Sequence, residues 1–168
     1  NDINEQFSEN FEIYIKNDSF FEIMVTNFSE CGEKHKQDYI RLLKKHQKRV
    51  LQLNKSKFID LISFLPINDI IDLSMVIEDN ETQFKIFEMI EIDGKGDMVH
   101  GEAILLYFKL LCQFNQEKII DFLEMKKYDI EGVLKISNEF GCERAIDFLK
   151  YKMGNFILGL KIYQKYIS

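Results

Sequence analysis

An internal repeat constrains the fold of this 168-residue chain more than any other feature. The segment KIIDFLEMKKYDIEGVLKI at 118–136 aligns with RAIDFLKYKMGNFILGLKI at 144–162, an offset of 26 residues. A unit of that length holds two short helices, which form one helical hairpin. Because a single hairpin leaves an apolar face uncovered, neighbouring hairpins must stack, and the sequence predicts an α-solenoid.

The alignment also indicates which positions are structurally equivalent. These repeat positions are Phe122, Leu123, Phe148, Leu149 and Gly154. Phe122 and Phe148 occupy the same place in the two copies, so both are expected to be buried between helices. A weaker third copy begins at residues 70–73, with the sequence IIDL. An irregular helical bundle with a chance likeness is the alternative, because two clear copies are few.

Composition and periodicity both favour helices throughout the chain. One proline and eight glycines are fewer than turn-rich all-β folds need. Apolar residues recur at helical spacing, beginning with Phe7, Phe11, Tyr14 and Ile15. Pro66 separates two predicted helices, and later breaks are expected near Asn115, Tyr128, Gly141 and Gly154. No stretch alternates steadily between apolar and polar residues, so an all-α fold is predicted.

The last predicted helix is apolar and is followed by no polar capping unit; its apolar residues are Phe156, Ile157, Leu160, Ile162, Tyr163 and Ile167. The terminal repeat of a solenoid normally presents a polar outer face. Residues 1–168 are therefore predicted to be a single α-solenoid segment and a fragment of a longer chain. The apolar run at 103–114 is shorter than the roughly 20 residues that cross a bilayer, and no signal peptide is evident.

Charge is distributed unevenly along the chain, whose formal net charge is −6. Residues 33–57 hold nine Lys or Arg against two Asp or Glu, whereas residues 69–102 hold two against ten. Nucleic acid is not expected as a partner, because phosphate binding needs a net basic surface over its footprint.

The basic segment supplies the candidate contact surface, which consists of Arg41, Lys44, Lys45, Lys48 and Arg49. These side chains share a helix whose opposite side carries apolar residues: Tyr39, Leu42, Leu43 and Val50. Four interpretations stay open, namely a solvated face, an acidic partner helix, anionic lipid heads, and the acidic residues 69–102 of the same chain.

No residue pattern indicates catalysis, a metal site or a cofactor site. Cys31, Cys112 and Cys142 are odd in number and widely spaced, which favours neither a disulfide framework nor a zinc site. Cys112 is expected to be a buried thiol. His46 lies in line with apolar residues, which favours a histidine at the core boundary, and no nucleophile motif accompanies it.

Two further features have structural interpretations. The loop IDGKGDMVHG at 92–101 lacks the second glycine and the Ser or Thr of a phosphate loop. It also lacks the alternating acidic ligands of a calcium loop, so a solvated connection is expected. Asp72, Asp121 and Asp147 recur at one place in the repeat, which favours a structural or solvated role because a catalyst would occur once.

The C-terminal half resembles the clathrin-heavy-chain-type repeat, with the closest likeness to the vacuolar protein sorting subunits of the CORVET and HOPS tethers. The residues that carry the resemblance are Leu110-Leu111-Cys112, Phe122-Leu123, Leu134, Phe140-Gly141, Ala145 and Met153-Gly154-Asn155. The likeness covers residues 100–168 well and 58–91 faintly. The chain departs from the pattern at Gly159 and at Tyr151-Lys152, and it contains neither the propeller nor the RING domain of such subunits.

The resemblance implies a right-handed α-solenoid of stacked short helical hairpins in a non-enzymatic scaffold. It also implies a cytoplasmic subunit, peripheral on endosomal or lysosomal membranes, that acts in tethering before fusion. Its partners would be other subunits of a large complex, with small GTPases recruiting it and no cofactor bound. A solenoid subunit of another assembly, such as a clathrin-like coat or a ciliary transport complex, is the alternative. An unrelated helical enzyme domain is a third possibility, which the lack of a polar constellation disfavours.

Overall fold

A computed structural model describes residues 13–17, 19–30 and 32–167 of the chain. Within these residues the regular structure is helical and no strand occurs. The α-helices are α1 Phe20–Glu30, α2 Glu33–Lys45, α3 Gln47–Leu53, α4 Lys55–Ile62, α5 Ile67–Val76, α6 Asn80–Ile92, α7 Glu102–Phe114, α8 Ile119–Met125, α9 Ile130–Glu139 and α10 Glu143–Ile167. Short 3-10 helices occupy Gly96–Met98 and Gln116–Lys118. The predicted all-α class is confirmed.

The chain divides into two compact units, residues 1–98 and 99–168. Helices α1–α6 belong to the first unit, and α7–α10 belong to the second. The single solenoid segment spanning residues 1–168 stays a prediction. Phe7, Phe11 and Cys31 lie outside the described residues.

Local sequence signals set several helix boundaries in the first unit. The Asn54 side chain caps α4 by accepting a hydrogen bond from the Lys57 N–H at 2.9 Å. Pro66 directly precedes α5, as predicted. The basic segment, in contrast, forms two helices where one was predicted. Helix α2 ends at Lys45 because His46 leaves the helical conformation (φ −108°, ψ 18°), and α3 begins at Gln47.

The core of the first unit is built from large apolar side chains on helices α1–α6; residues 13–15 are also helical, and Ile15 there is buried. Helix α4 lies at the centre, since it packs against α1, α3 and α6, while α5 packs against α2 and α6. The most deeply buried side chains are Phe20, Met24, Leu43, Val50, Phe58, Leu61, Ile62, Leu73, Ile86, Phe87 and Ile90. One buried amide joins α6 to α5, because Gln83 Nε2 donates to the Ser74 carbonyl at 3.0 Å.

The second unit is organised around the ring of Phe122 on α8. The ring centroid of Phe122 lies 5.2 Å from that of Phe108 and 5.8 Å from that of Tyr107, both on α7. Tyr128 stacks on Phe122 at 6.0 Å, and its hydroxyl donates to the Leu123 carbonyl at 2.7 Å. These contacts fix the connection between α8 and α9 against α7.

The two sequence copies differ in structure. The first copy forms two helices, α8 and α9, which are separated near Tyr128 and pack against α7 and α10. The second copy is one continuous helix, so the predicted break at Gly154 and the turn at Met153-Gly154-Asn155 are wrong. Gly154 stands where the first copy has Tyr128, and glycine cannot supply the stacked ring and hydroxyl that hold that turn. The breaks predicted near Asn115, Tyr128 and Gly141 are confirmed.

The two copies also differ in how deeply their equivalent residues are buried. Phe122 is buried, whereas Phe148 is only partly buried, so the expectation that both are buried is wrong for Phe148. Among the described residues no aromatic ring contacts Phe148, whereas three rings surround Phe122. Leu123 and Leu149 are both fully buried.

Phe122 should therefore contribute more to stability than its sequence equivalent. We expect Phe122→Ala to lower the free energy of unfolding by about 3–5 kcal/mol, because it opens a cavity among three rings. Phe148→Ala should cost clearly less. Urea denaturation of both variants measures the difference. Equal losses would contradict the asymmetric burial.

The backbone at Gly154 gives a second test. Its φ is not in the left-handed region and no heavy atom lies within 4 Å of a Cβ placed there, so alanine fits without strain. We expect Gly154→Ala to stabilise α10 locally by roughly 0.5–1 kcal/mol, since alanine is the better helix former. Slower amide hydrogen exchange around residue 154 would show this. Gly141→Ala is the contrasting variant, because Gly141 has φ 59° and should be strained by a side chain.

Candidate functional site

Two surfaces are candidates for partner binding, and the first lies on α2 and α3. This basic face consists of Arg41, Lys44 and Lys45 on α2 and Lys48 and Arg49 on α3. Lys44 is partly buried and the other four side chains are exposed. The opposite side of the two helices is buried through Tyr39, Leu42, Leu43 and Val50, as predicted. The fold therefore brings the five basic residues together on its surface.

Acidic residues of the first unit form ion pairs with part of the basic segment, residues 33–57. Lys48 Nζ lies 2.8 Å from Glu78 Oε2, and this hydrogen-bonded carboxylate raises the pKa of Lys48. Arg41 Nη1 lies 3.2 Å from Asp38 Oδ1 on its own helix. Lys55 Nζ lies 3.3 Å from Asp79 Oδ2. The interpretation that residues 69–102 are an intramolecular neighbour of the basic segment is thus supported by two ion pairs.

Gln47 holds α3 against the connection between α5 and α6. Its Nε2 donates to the Val76 carbonyl at 2.8 Å, and its Oε1 accepts from the Glu78 N–H at 3.0 Å. The Gln47 side chain therefore anchors the backbone at Glu78, which is the carboxylate partner of the adjacent Lys48. Nothing in the sequence marks Gln47, because one glutamine among charged residues is an ordinary surface pattern.

His46 is partly buried at the junction of α2 and α3, which confirms the prediction of a boundary histidine. Desolvation by burial lowers the pKa of His46, and the neighbouring Lys45 charge acts in the same direction. A lowered pKa keeps the imidazole neutral at neutral pH. His46 therefore adds no charge to the basic face under those conditions.

Lys44 and Lys45 are the cations of the basic face that form no ion pair with any residue the structure describes. A cleft of about 570 Å³ lies near the other end of the face. Its lining consists of the cations Lys16, Arg49 and Lys57, the polar residues Asn17, Gln52 and Asn54, and the apolar residues Ile15, Phe20, Phe21 and Leu53. The lining includes neither Lys48 nor Glu78, so the cleft is separate from that ion pair.

The second surface is the exposed end of α10, defined as residues 151–167. Every residue in this range is exposed. Its large apolar members are Tyr151, Met153, Phe156, Ile157, Leu158, Leu160, Ile162, Tyr163, Tyr166 and Ile167. Tyr166 is 84% exposed and Phe156 is 68% exposed. The last helix thus carries large apolar residues that the described chain leaves uncovered, and contiguous apolar surface of this size marks interaction sites.

Residues with other chemistry are placed as expected. Cys112 and Cys142 are buried free thiols. Burial raises the pKa of the Cys112 thiol to about 12, with the neighbouring Cys142 as a further cause, so the reactive thiolate is not formed at neutral pH. Asp72, Asp121 and Asp147 are all exposed, in agreement with a solvated role.

The loop at 92–101 contains the short Gly96–Met98 helix and has left-handed glycines at Gly94 and Gly101. Asp93, Lys95 and Asp97 are exposed in it. In the described ranges no three His, Cys, Asp or Glu residues are grouped so that they could hold a metal ion. A search of the same ranges finds no helix with the length and hydropathy needed to traverse a bilayer.

The best-defined carboxylate near the basic face is Asp79, the N-cap of α6. It accepts hydrogen bonds from the Thr82 N–H at 3.0 Å and from the Thr82 hydroxyl. The hydroxyl contact is the main cause that lowers the pKa of Asp79, and the Thr82 N–H and Lys55 act in the same direction against partial burial.

We expect Asp79→Ala to lower the free energy of unfolding by about 1 kcal/mol at neutral pH, because the helix loses its cap. The folded pKa is depressed, so the ionised form contributes stability above the ordinary value of 3.8 and loses it as pH falls through the lower folded value. Urea denaturation of the parent protein and of Asp79→Ala across this pH range measures the difference in their free energies of unfolding. Asp79→Asn keeps a capping oxygen without the charge, and it should retain more stability than Asp79→Ala. If the difference in unfolding free energy between the parent protein and Asp79→Ala does not change with pH, the stabilising role of the ionised Asp79 carboxylate is wrong.

Comparison with known proteins supplies no relative: the chain matches no family model, no curated protein and no solved structure. The resemblance to clathrin-type repeats therefore rests on the residues alone.

Proposed function

We propose that this chain is a non-enzymatic helical scaffold that binds other proteins through surfaces on its helices. The observation that carries the proposal is the exposed end of α10. Seventeen consecutive residues of a helix rooted in a packed unit expose ten large apolar side chains. A helix that is apolar on most sides is normally covered by neighbours, and such patches mark protein interaction sites.

The more specific proposal is a right-handed α-solenoid subunit of an endosomal or lysosomal membrane-tethering complex. The helices of the first copy support it, since the family-like Phe122-Leu123 pair is buried and Phe140-Gly141 ends α9. The likeness at Met153-Gly154-Asn155 gives no support, because those residues lie inside α10. The intact protein would then be cytoplasmic and peripheral on these membranes, and its partners would be other subunits and small GTPases.

A solenoid subunit of a clathrin-like coat or a ciliary transport complex is the alternative. The exposed end of α10 and the buried Phe122-Leu123 pair are equally compatible with it, because such assemblies also join helical subunits through extended surfaces. The identity of the companions, and not any property of this chain alone, separates the two.

Affinity purification of the epitope-tagged protein from its native cells, with companions identified by mass spectrometry, tests the proposal. We expect other vacuolar sorting subunits of a tethering complex to be recovered. Lys44→Glu with Lys45→Glu should weaken a salt-sensitive contact of the basic face, because these cations form no ion pair among the described residues.

Lys127→Glu with Lys135→Glu is the matched control, since it makes the same charge change at exposed lysines elsewhere. Recovery of coat subunits or ciliary transport subunits, without any tethering subunit, would favour the alternative function. A protein recovered without companions under all salt conditions would contradict the scaffold proposal itself.

A further inference from the structure

We propose that the exposed end of α10 pairs with the same helix of a second copy of this chain, through the face formed by Met153, Phe156, Leu160, Tyr163 and Ile167. This inference rests on the proposed function, which assigns α10 to protein binding, and it names one occupant for one side of that helix. These five residues are defined here as the seam.

The spacing of the seam is that of a coiled coil. Its residues follow one another at intervals of three, four, three and four positions, which is the a and d pattern of a heptad repeat. Residues at this spacing form one narrow stripe that a second helix can cover with knobs-into-holes packing. All five are between 41% and 68% exposed, so no other element of the described chain covers them.

The charges are placed so that a second copy meets no repulsion across the seam. The positions that flank the seam are Lys152, Ile157, Gly159, Gln164 and Tyr166. Lys152 is the one charge among these five, and its Nζ lies 3.1 Å from the Tyr128 hydroxyl and 4.9 Å from that ring centroid. By helical spacing Lys161 and Lys165 lie on the opposite side of α10, where pairing leaves them in water.

The area is sufficient for a stable dimer. The ten large apolar residues of the exposed end present on the order of 1,000 Å² when their exposed fractions are applied to side chains of ordinary size. A standard interface takes about 800 Å² from each partner. The seam accounts for about half of that surface, and the flanking Ile157 and Tyr166 with the neighbouring backbone supply the remainder.

A membrane surface is a poorer occupant of the seam. A helix lying in a lipid interface has one apolar side and one strongly polar side. Here the outer side also carries Tyr151, Leu158 and Ile162, beside Lys161 and Lys165, and lipid contact at the seam would leave these apolar residues in water. That outer side stays available to other proteins when the seam is paired.

Sedimentation of the full 168-residue chain over a concentration series tests the proposal. We expect a species with twice the 20.0 kDa mass of one chain to form as concentration rises. Leu160→Glu places a charge in the seam and should weaken dimerisation at least about tenfold. Leu158→Glu is the matched control, because Leu158 lies two positions away on the outer side and is 57% exposed. It should dimerise like the parent chain.

A chain that stays monomeric at every concentration would overturn the inference. So would equal effects of Leu158→Glu and Leu160→Glu, or a dimer that tolerates Leu160→Glu. Co-sedimentation of the monomer with phosphatidylserine vesicles, lost in Leu160→Glu, would assign the seam to lipid. Circular dichroism of both variants verifies that helicity is retained. If the chain sediments as a monomer but still co-purifies with tethering subunits, only this inference is wrong. If it dimerises but co-purifies with no tethering subunit, only the proposed function is wrong.

Discussion

Helices of seven to thirteen residues are marginal in water on their own, so the short helices of this protein depend on packing against one another. Helix α8 shows this dependence most clearly. It has seven residues, and its stability comes from burying Ile119, Phe122 and Leu123. The Phe122 ring meets α7 on one side and Tyr128 on the other. Tertiary contact at one aromatic side chain thus decides where α8 ends and how the chain turns into α9.

The same dependence explains why two similar segments fold differently. Segments 118–136 and 144–162 share their apolar spacing, yet only the first has an aromatic anchor for its turn. Tyr128 stacks on Phe122 and donates to the Leu123 carbonyl, whereas Gly154 at the equivalent place has no side chain to do either. With no tertiary contact to stop it, the helix continues, because adding a residue to an existing helix is easier than ending it and starting another.

How much of this structure is predictable from sequence follows from the range of the interactions involved. Pro66, Asn115 and Gly141 act locally on the backbone, and the breaks predicted there are present. The helix continues through Gly154 because the contact that ends α8 at Tyr128 is missing there, and periodicity does not contain such contacts. The break between α2 and α3 at His46 was not predicted either. The basic face is predictable as a set of residues. Its internal pairing, such as Lys48 with Glu78, is not, because the two residues lie 30 positions apart and meet only in the fold.

The exposed end of α10 differs from the rest of the protein in where its helix stability comes from. Residues 151–167 bury nothing large against the described chain, so this part of α10 relies on propagation from its packed first turns, at Ala145 and Leu149. Two glycines, Gly154 and Gly159, weaken that propagation. A helix held so weakly and yet so apolar gains more from being covered than a helix already packed. Covering it would remove apolar area from water and order the helix at the same time, and both effects favour association at this surface.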